Sequence, residues 1–556
     1  MNSSLRSLGL VPLALALAVG VSACGSSSTS SSSSGTATSG SPSTVTVLEG
    51  SSPDYLDPQQ GITTQSAEAT WIAYLGLYSY AHAEGVAGTK VIPALATALP
   101  KISADGKTYT MTLRKGLVYS NGEAVKASDF THAIERAIKL NWNNKQFLTA
   151  NIVGAEAFDK GTVSTISGIT TDDSTGEITV KLVEPYGAFL NVLSFSATGL
   201  VPSSTPMKSL TNDPPPGVGP YTIKSVVPNQ SFQEDINPRY AAEAIPGIPT
   251  GHVNVSVKVQ SNTQTEAEQV LSNSADVFDW GDTLPPAILP QLQSQAADRY
   301  QAVPTPETLY FFLNAKSKPF NNKLAREAVI YALNRPALSR LDSGNVTPDC
   351  YFLPPQLVGH PTAPCPYGDP SSTGNLAKAR ELVKQSGMEG ASVTVWGESR
   401  SPRREYVDNF TQLLNSIGFK ATEKIIADAT YFATIGNLKT NPQAGFADWA
   451  QDFPNPVDFY QLIISKAIQP QGNNNFGQIE DPKIDSTYEK LGKISAGKLD
   501  STTAQWEALE EYVAKQAYIG VFGYEKVPKF TSTRINFGAL QFHPLYGPDW
   551  STLELK

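Results

Sequence analysis

The chain has 556 residues, with 42 Lys and Arg against 51 Asp and Glu, a formal net charge of −9. No block of Lys or Arg is dense enough to track a phosphate backbone, so nucleic acid is not an expected partner, and an anionic membrane surface is equally unattractive. The hydrophobic share of 40% is that of a globular protein, and the length exceeds what one core usually serves, which implies two or three lobes.

At the N-terminus Arg6 precedes an uncharged run, Leu8 to Val21, which ends in Val21-Ser22-Ala23-Cys24-Gly25. The run is too short to span a bilayer comfortably, and small residues before Cys24 suit a signal-cleaving enzyme, so residues 1–23 are read as a removed signal peptide. Val-Ser-Ala-Cys resembles the bacterial lipobox, whose cysteine is lipidated and becomes the new N-terminus. An ordinary secretory signal that contains a cysteine is the alternative. Residues 24–43 then form the lipidated Cys24 and a Ser-rich tether, because this stretch cannot bury enough apolar surface to offset its ordering entropy. No later uncharged apolar run approaches membrane-spanning length.

A short strand is predicted over Thr44 to Leu48, followed by a turn at Pro53-Asp54-Tyr55-Leu56-Asp57-Pro58 and a helix from Ser66 to about Tyr78. After the Ala104-Asp105-Gly106 turn, Tyr109, Met111 and Leu113 alternate with polar residues, the pattern of a half-buried strand. Ser128 is placed as the N-cap of a helix whose Phe130, Ala133, Ile134, Ala137 and Ile138 share one face. Ile178, Val180 and Leu182 form another strand, so residues 85–200 read as a self-contained α+β lobe. Cys350 and Cys365 are an even pair in a Pro-rich segment; in an oxidising compartment they are expected to form a disulfide worth about 3 kcal/mol, two unpaired thiols being the alternative. Asn375 caps a helix from Leu376 to Ser386. Val393 and Val395 mark a strand, Tyr406 to Ile417 a helix stopped by Gly418, and Phe419 to Ile426 a second strand. That is a βαβ unit with parallel strands.

Five landmarks then occur in order: Leu56-Asp57-Pro58; the block from Pro93 to Phe130 with Asp105-Gly106-Lys107-Thr108-Tyr109-Thr110 and Asn121-Gly122-Glu123; Gly217-Val218-Gly219-Pro220-Tyr221; Leu309 to Asn314 followed by Arg326-Glu327-Ala328 and Asn334-Arg335; and Trp449-Ala450-Gln451-Asp452-Phe453-Pro454. Together they resemble the large extracytoplasmic solute-binding proteins of peptide-type ABC importers, a family that includes oligopeptide, dipeptide and nickel binders, over essentially the whole body from Thr44 to Lys556. The resemblance implies an α/β, periplasmic-binding-protein-like fold (class II, cluster C) with two main lobes, a hinge and an extra α+β insertion lobe. It divides the chain into lobe I at 44–84, 205–305 and 522–556, the insertion lobe II at 85–204, and lobe III at 306–521. It further implies a monomer that needs no cofactor, does no covalent chemistry, and hands a small solute, most simply a peptide, to permease subunits driven by cytoplasmic ATPases. The membrane is reached through the lipid anchor alone.

Within that resemblance Asp452 is the candidate anchor for a ligand α-ammonium, with Trp449 and Phe453 as walls. This chain has Phe453 and Asn455 where relatives commonly have Tyr and Asp. The structural alternative is that Asp452 or Asn455 caps a helix beginning near Pro456. Arg400, Arg403 and Arg404, at the end of a strand and the start of a helix, are candidates for a ligand carboxylate or are a solvated face. Tyr55, Trp71 and Trp280 are candidate stacking walls, or core. His82, His132, His252, His360 and His543 are scattered singly with no metal-ligand spacing. A lipid-anchored extracellular hydrolase is the rival class, but His-Glu-x-x-His and Gly-x-Ser-x-Gly are absent from the sequence, and its one Gly-x-x-x-x-Gly-Lys, Gly492 to Lys498, is followed by Leu499 where a phosphate-binding loop needs Ser or Thr. An oligosaccharide or a chelated metal remains an alternative cargo.

Overall fold

The computed structural model describes residues 42–240 and 245–556; the signal segment, Cys24 and the Ser-rich stretch up to Ser41 lie outside it. Alternation of Val45 and Val47 with Thr44 and Thr46 makes Thr44–Glu49 a strand with one buried face. It lies parallel to Asn254–Val259, which is antiparallel to Ser231–Ile236, itself antiparallel to Tyr221–Val227. The C-terminal segment returns to this core, where Trp550 and Leu553 pack with Val45, Val255 and Phe232. The following helix spans Thr64–Ala73, capped by the Thr63 side chain, and stops well before Tyr78. Tyr78–Tyr80 is instead a strand paired with Val91–Pro93, so the apolar run after Ala73 changes conformation without changing hydropathy.

A four-stranded antiparallel sheet follows, ordered Lys101–Ile102, Thr108–Thr112, Glu177–Lys181, Ile169–Asp172. The helix Ser128–Lys139 lays Phe130, Ala133, Ile134, Ala137 and Ile138 into the core of this region. Ser128 is its first residue rather than its cap. Its backbone N–H donates to Asp173 at 2.8 Å and its hydroxyl to the same carboxylate at 3.0 Å, so the orphan N-terminal donor is satisfied from a distant turn.

The largest sheet has six strands, ordered Val346–Thr347, Ile519–Phe530, Tyr300–Leu313, Ala444–Ala450, Ser392–Glu398, Lys420–Ile426. Ser392–Glu398 and Lys420–Ile426 are parallel and joined by the helix Arg403–Ile417, which ends at Gly418 with φ 112°, a left-handed cap that favours glycine. The helix Leu376–Gln385 is capped by the Asn375 side chain. Cys350 and Cys365 are joined in a disulfide with Cα atoms 6.0 Å apart. Tyr300–Leu313 and Ile519–Phe530 run between two cores: Phe311 and Phe522 pack in one, Tyr300 and Phe530 in another with Leu48 and Phe278. Their pairing register shifts between Pro304 and Thr308, midway along the crossing. Among the described residues no helix is long and apolar enough to cross a membrane.

Candidate functional site

A cleft of about 670 Å³ opens where the three sheet-bearing regions meet. Its walls come from residues 61–67, 280–286 and 544–546 on one side, 142–144 and 195–197 on a second, and 305–309, 341–343, 400–406, 450–452 and 525–527 on the third. A smaller, more aromatic chamber of about 480 Å³ adjoins it, walled by Tyr310, Phe432, Trp449 and Phe476; the two share Glu307, Arg403, Ala450 and Asp452.

Asp452 stands at this junction because the strand Ala444–Ala450 ends there. The backbone N–H of Gln451 still donates to Pro306 across the sheet at 3.1 Å, and the chain then turns around the buried carboxylate of Asp458. Asp458 accepts from the Asp452 backbone N–H at 2.8 Å and from Trp449 Nε1 at 3.2 Å. The helix Val457–Tyr460 has Pro456 at its N-cap position, and its first N–H, that of Val457, is taken by Asn455 Oδ1 at 3.1 Å rather than by Asp452. The Asp452 carboxylate is therefore free of that duty, and among the described residues it has no hydrogen-bond donor and no cation of its own. Burial pushes its pKa up to about 6. A half-buried carboxylate without a donor is poised for a cation from outside.

The other candidates separate into those in the cleft and those elsewhere. Trp280 lines it, held by an Nε1 hydrogen bond to Glu68 at 3.2 Å, and Trp449 lines the adjoining chamber. Phe453 does not: it is buried edge-on against Phe147, centroids 5.5 Å apart, because the turn after Asp452 points it into the core. Trp71 is likewise core, stacked on His82 at 4.2 Å and Tyr546 at 4.5 Å, with Nε1 bonded to Ser79. Tyr55 lies at the surface outside the cleft lining.

The arginine cluster is largely spent. Arg403 lines the cleft, but its guanidinium pairs with Asp448, with Glu398 at 2.8 Å and with Glu307 at 3.8 Å. Arg404 faces away, paired with Asp408 at 2.9 Å and Glu423 at 3.5 Å. Arg400 alone lines the cleft with a loose partner, Glu398 at 3.6 Å, and a side chain 54% exposed. Of the histidines, His82 is bonded to Asp549 at 2.6 Å and His543 to the Gly88 carbonyl at 2.9 Å. Among the described residues one group of three ligating side chains is close enough for a shared ion, Asp349, Cys350 and Cys365, and both of its sulfurs are in the disulfide.

Sequence reasoning missed Gln451, Asp282, Glu307, Asp342 and Glu525, all on the cleft. Gln451 lay inside the quoted Trp449 to Pro454 motif; the acids belong to no motif and meet only in the fold.

The profile of bacterial extracellular solute-binding proteins, family 5 Middle, matches residues 90–471, more than half of the chain. The chain belongs to this family. A curated relative, the glutathione-binding protein GsiB of Shigella flexneri, is 29% identical over 385 residues, 68% of each chain. Among solved structures, the clavulanic acid biosynthesis oligopeptide binding protein 2 superposes with a TM-score of 0.85 at 21% identity, covering 93% of this chain and 96% of that one. DppA of Helicobacter pylori in complex with the peptide STSA gives 0.68 at 21% identity, covering 92% and 98%. These superpositions carry the fold: α/β, periplasmic-binding-protein-like, of the two-lobe class II type. The relatives are solute-binding proteins rather than enzymes.

Proposed function

We propose that this chain is the receptor of an ABC importer that captures an amine-bearing solute, of the peptide class, in the cleft. The observation that carries this reading is the Asp452 carboxylate, which lines the cleft with no donor among the described residues and is pushed toward neutrality by burial. A ligand ammonium placed there gains a charge-assisted hydrogen bond and removes the penalty of an unpaired carboxylate. Relatives named for glutathione and for oligopeptides fit, since both solutes present a primary ammonium. Arg400, the more loosely held of the two guanidinium groups on the cleft, is the candidate partner for the ligand carboxylate, and Trp280 and Trp449 are apolar walls. The cleft volume falls within the range of about 300–1,000 Å³ usual for small-ligand sites.

In this reading Cys24 carries the lipid that holds the body at the outer face of the cytoplasmic membrane, and the protein works as a monomer. The lobes divide near 84, 204, 305 and 521, and they close about the crossing strands at the shift between Pro304 and Thr308. Closure removes water, strengthens each polar contact inside and is selected by the ligand's differential affinity. The closed form is the one handed to the permease subunits and their ATPases. Mass spectrometry of the solute that co-purifies with the protein, followed by small-angle scattering with and without it, tests the proposal. A primary-amine solute that reduces the radius of gyration supports it; a solute without an amine, or turnover of the solute into product, contradicts it.

A further inference from the structure

We infer that Glu307, Glu525 and Asp342 form a second cation subsite in the cleft, so that the preferred solute carries a basic group, ammonium or guanidinium, in addition to the amine at Asp452. The inference rests on the amine-binding reading of the cleft and names its substrate class more narrowly.

The placement follows from the irregularity in the crossing strands. Pro304 pairs with Lys526 and Thr308 with Tyr524, so three residues of one strand, Thr305, Pro306 and Glu307, stand against Glu525 alone on the other. Thr305 Oγ1 ties the bulge by donating to the Glu525 carbonyl at 3.1 Å. Glu307 and Glu525 both line the cleft from this point, and Asp342 joins them from the end of the helix Arg335–Leu341. Only Glu307 has an ion-pair partner among the described residues, Arg403 at 3.8 Å, and that guanidinium is already shared with Asp448 and Glu398. The cleft is lined by five acids, Asp282, Glu307, Asp342, Asp452 and Glu525, against Arg400 and Arg403, with Lys526 just behind Glu525.

Burial, and then the charges of Glu525 and Asp448, holds the Glu307 carboxyl well above the usual carboxylate range; burial and then Glu525 push Asp342 up to about 7. Such a cluster is relieved by a cation.

Gln451 supplies an independent sign of a missing ligand. It is 8% exposed and lines the same cleft, yet among the described residues neither Oε1 nor Nε2 has a partner. A buried side-chain amide left open at both ends loses the hydrogen bonds it had in water; a ligand N–H on Oε1 and a ligand carbonyl on Nε2 restore them. The three carboxylates do not draw together within 4.8 Å as a set that could share a metal ion. The spread suits an organic cation with several N–H donors.

The test is calorimetric titration of the full chain in detergent with Ala-Lys-Ala, Ala-Ala-Lys, their Nε-acetyl-lysine counterparts, Ala-Glu-Ala and the diamine putrescine. Lysyl peptides are expected to bind about 10-fold or more tightly than the acetylated ones, with Ala-Glu-Ala weakest, and the preference is expected to collapse to about 2-fold in Glu525→Gln and in Glu307→Gln. Melting curves of both variants confirm that they fold, the isosteric amide removing one of two neighbouring like charges. Equal binding of lysyl and acetyl-lysyl peptides overturns the second subsite while leaving the peptide reading intact. Binding of putrescine that depends on Glu525, with no peptide bound, supports the subsite and contradicts the peptide reading. A charge preference that persists unchanged in both variants, or no binding of any cationic probe, overturns the subsite.

Discussion

Asp57 and Asp452 are both acids drawn from landmarks of the sequence, yet the protein treats them oppositely. Asp57 is fully buried and receives Arg136 in a two-pronged pair, Nη1 to Oδ1 and Nη2 to Oδ2 at 2.6 Å each, with the backbone N–H of Leu210 added at 2.8 Å. Arg136, also fully buried, directs its remaining donors to Gln59 at 2.5 Å and to the carbonyls of Pro206 and Lys208 at 3.0 and 2.7 Å. The pair ties the helix Ser128–Lys139 to the N-terminal turn and leaves no vacancy for a ligand. Asp452 sits at a cleft wall, and among the described residues nothing donates to its carboxylate. A charge whose partners are all internal holds the fold; a charge left open at a cavity is available for work.

The sharpest way to break that contrast is to remove one partner of the completed pair. Arg136→Met should destabilise the protein by about 3–5 kcal/mol in denaturant titration, because it strands a buried carboxylate; a loss under about 1 kcal/mol would erase the distinction. Removing the disulfide by Cys350→Ser with Cys365→Ser, another closed structural element, should cost about 3 kcal/mol, measured the same way. Asp452→Asn should leave the ligand-free protein at least as stable at neutral pH, since it removes an unpaired charge, while weakening an amine-bearing ligand about 10- to 100-fold in calorimetry, the loss of a charge-assisted bond.

Carboxyls raised by burial also set a pH dependence, whether open, as at Asp452, or hydrogen-bonded inside the protein, as at Glu510, which accepts from the backbone N–H of Leu353 and the Tyr460 hydroxyl. Burial pushes Asp452 up to about 6 and Asp342 and Glu510 up to about 7, so between roughly pH 4 and 7 the folded chain holds protons that the unfolded chain has released. Their contribution is full below the ordinary carboxylate range and is lost as pH rises through 6 to 7. The melting temperature of the ligand-free protein should therefore fall from pH 5 to pH 8, and ligand should stabilise more strongly at pH 8, where Asp452 is charged. A ligand-free melting temperature that rises over that interval would contradict these assignments. The smallest expected effect is at the helix cap: Asp173→Ala should cost about 1 kcal/mol, read from the denaturation midpoint.

Local elements were the legible part of the sequence. Alternation at Val45 and Val47, the helical spacing from Tyr406 to Ile417 and the stop at Gly418 are set by neighbours in the chain, and the structure has them. The end of the first helix was not legible, since Tyr74, Leu75 and Leu77 are as apolar as the helix and only pairing with Val91–Pro93 makes a strand of Tyr78–Tyr80. Ser128 was misread as a cap because its true partner, Asp173, lies 45 residues away. The arginine cluster looked free for the same reason: Glu307 and Asp448 reach Arg403 only through the sheet. Asp452 was visible as a motif residue, but not whether its carboxylate would be spent on a cap. Glu525 and Asp342 carried no local signal at all, and Gln451 none beyond its place in the Trp449 to Pro454 motif.

The most direct test crosses two changes in one calorimetric experiment: the co-purified solute with its amine free or acetylated, against the wild-type chain or Asp452→Asn. The account predicts that acetylation weakens binding to the wild type about 100-fold and to the variant by no more than about 3-fold, because both changes remove the same contact. Equal losses on acetylation in the two proteins, or none in either, would contradict it.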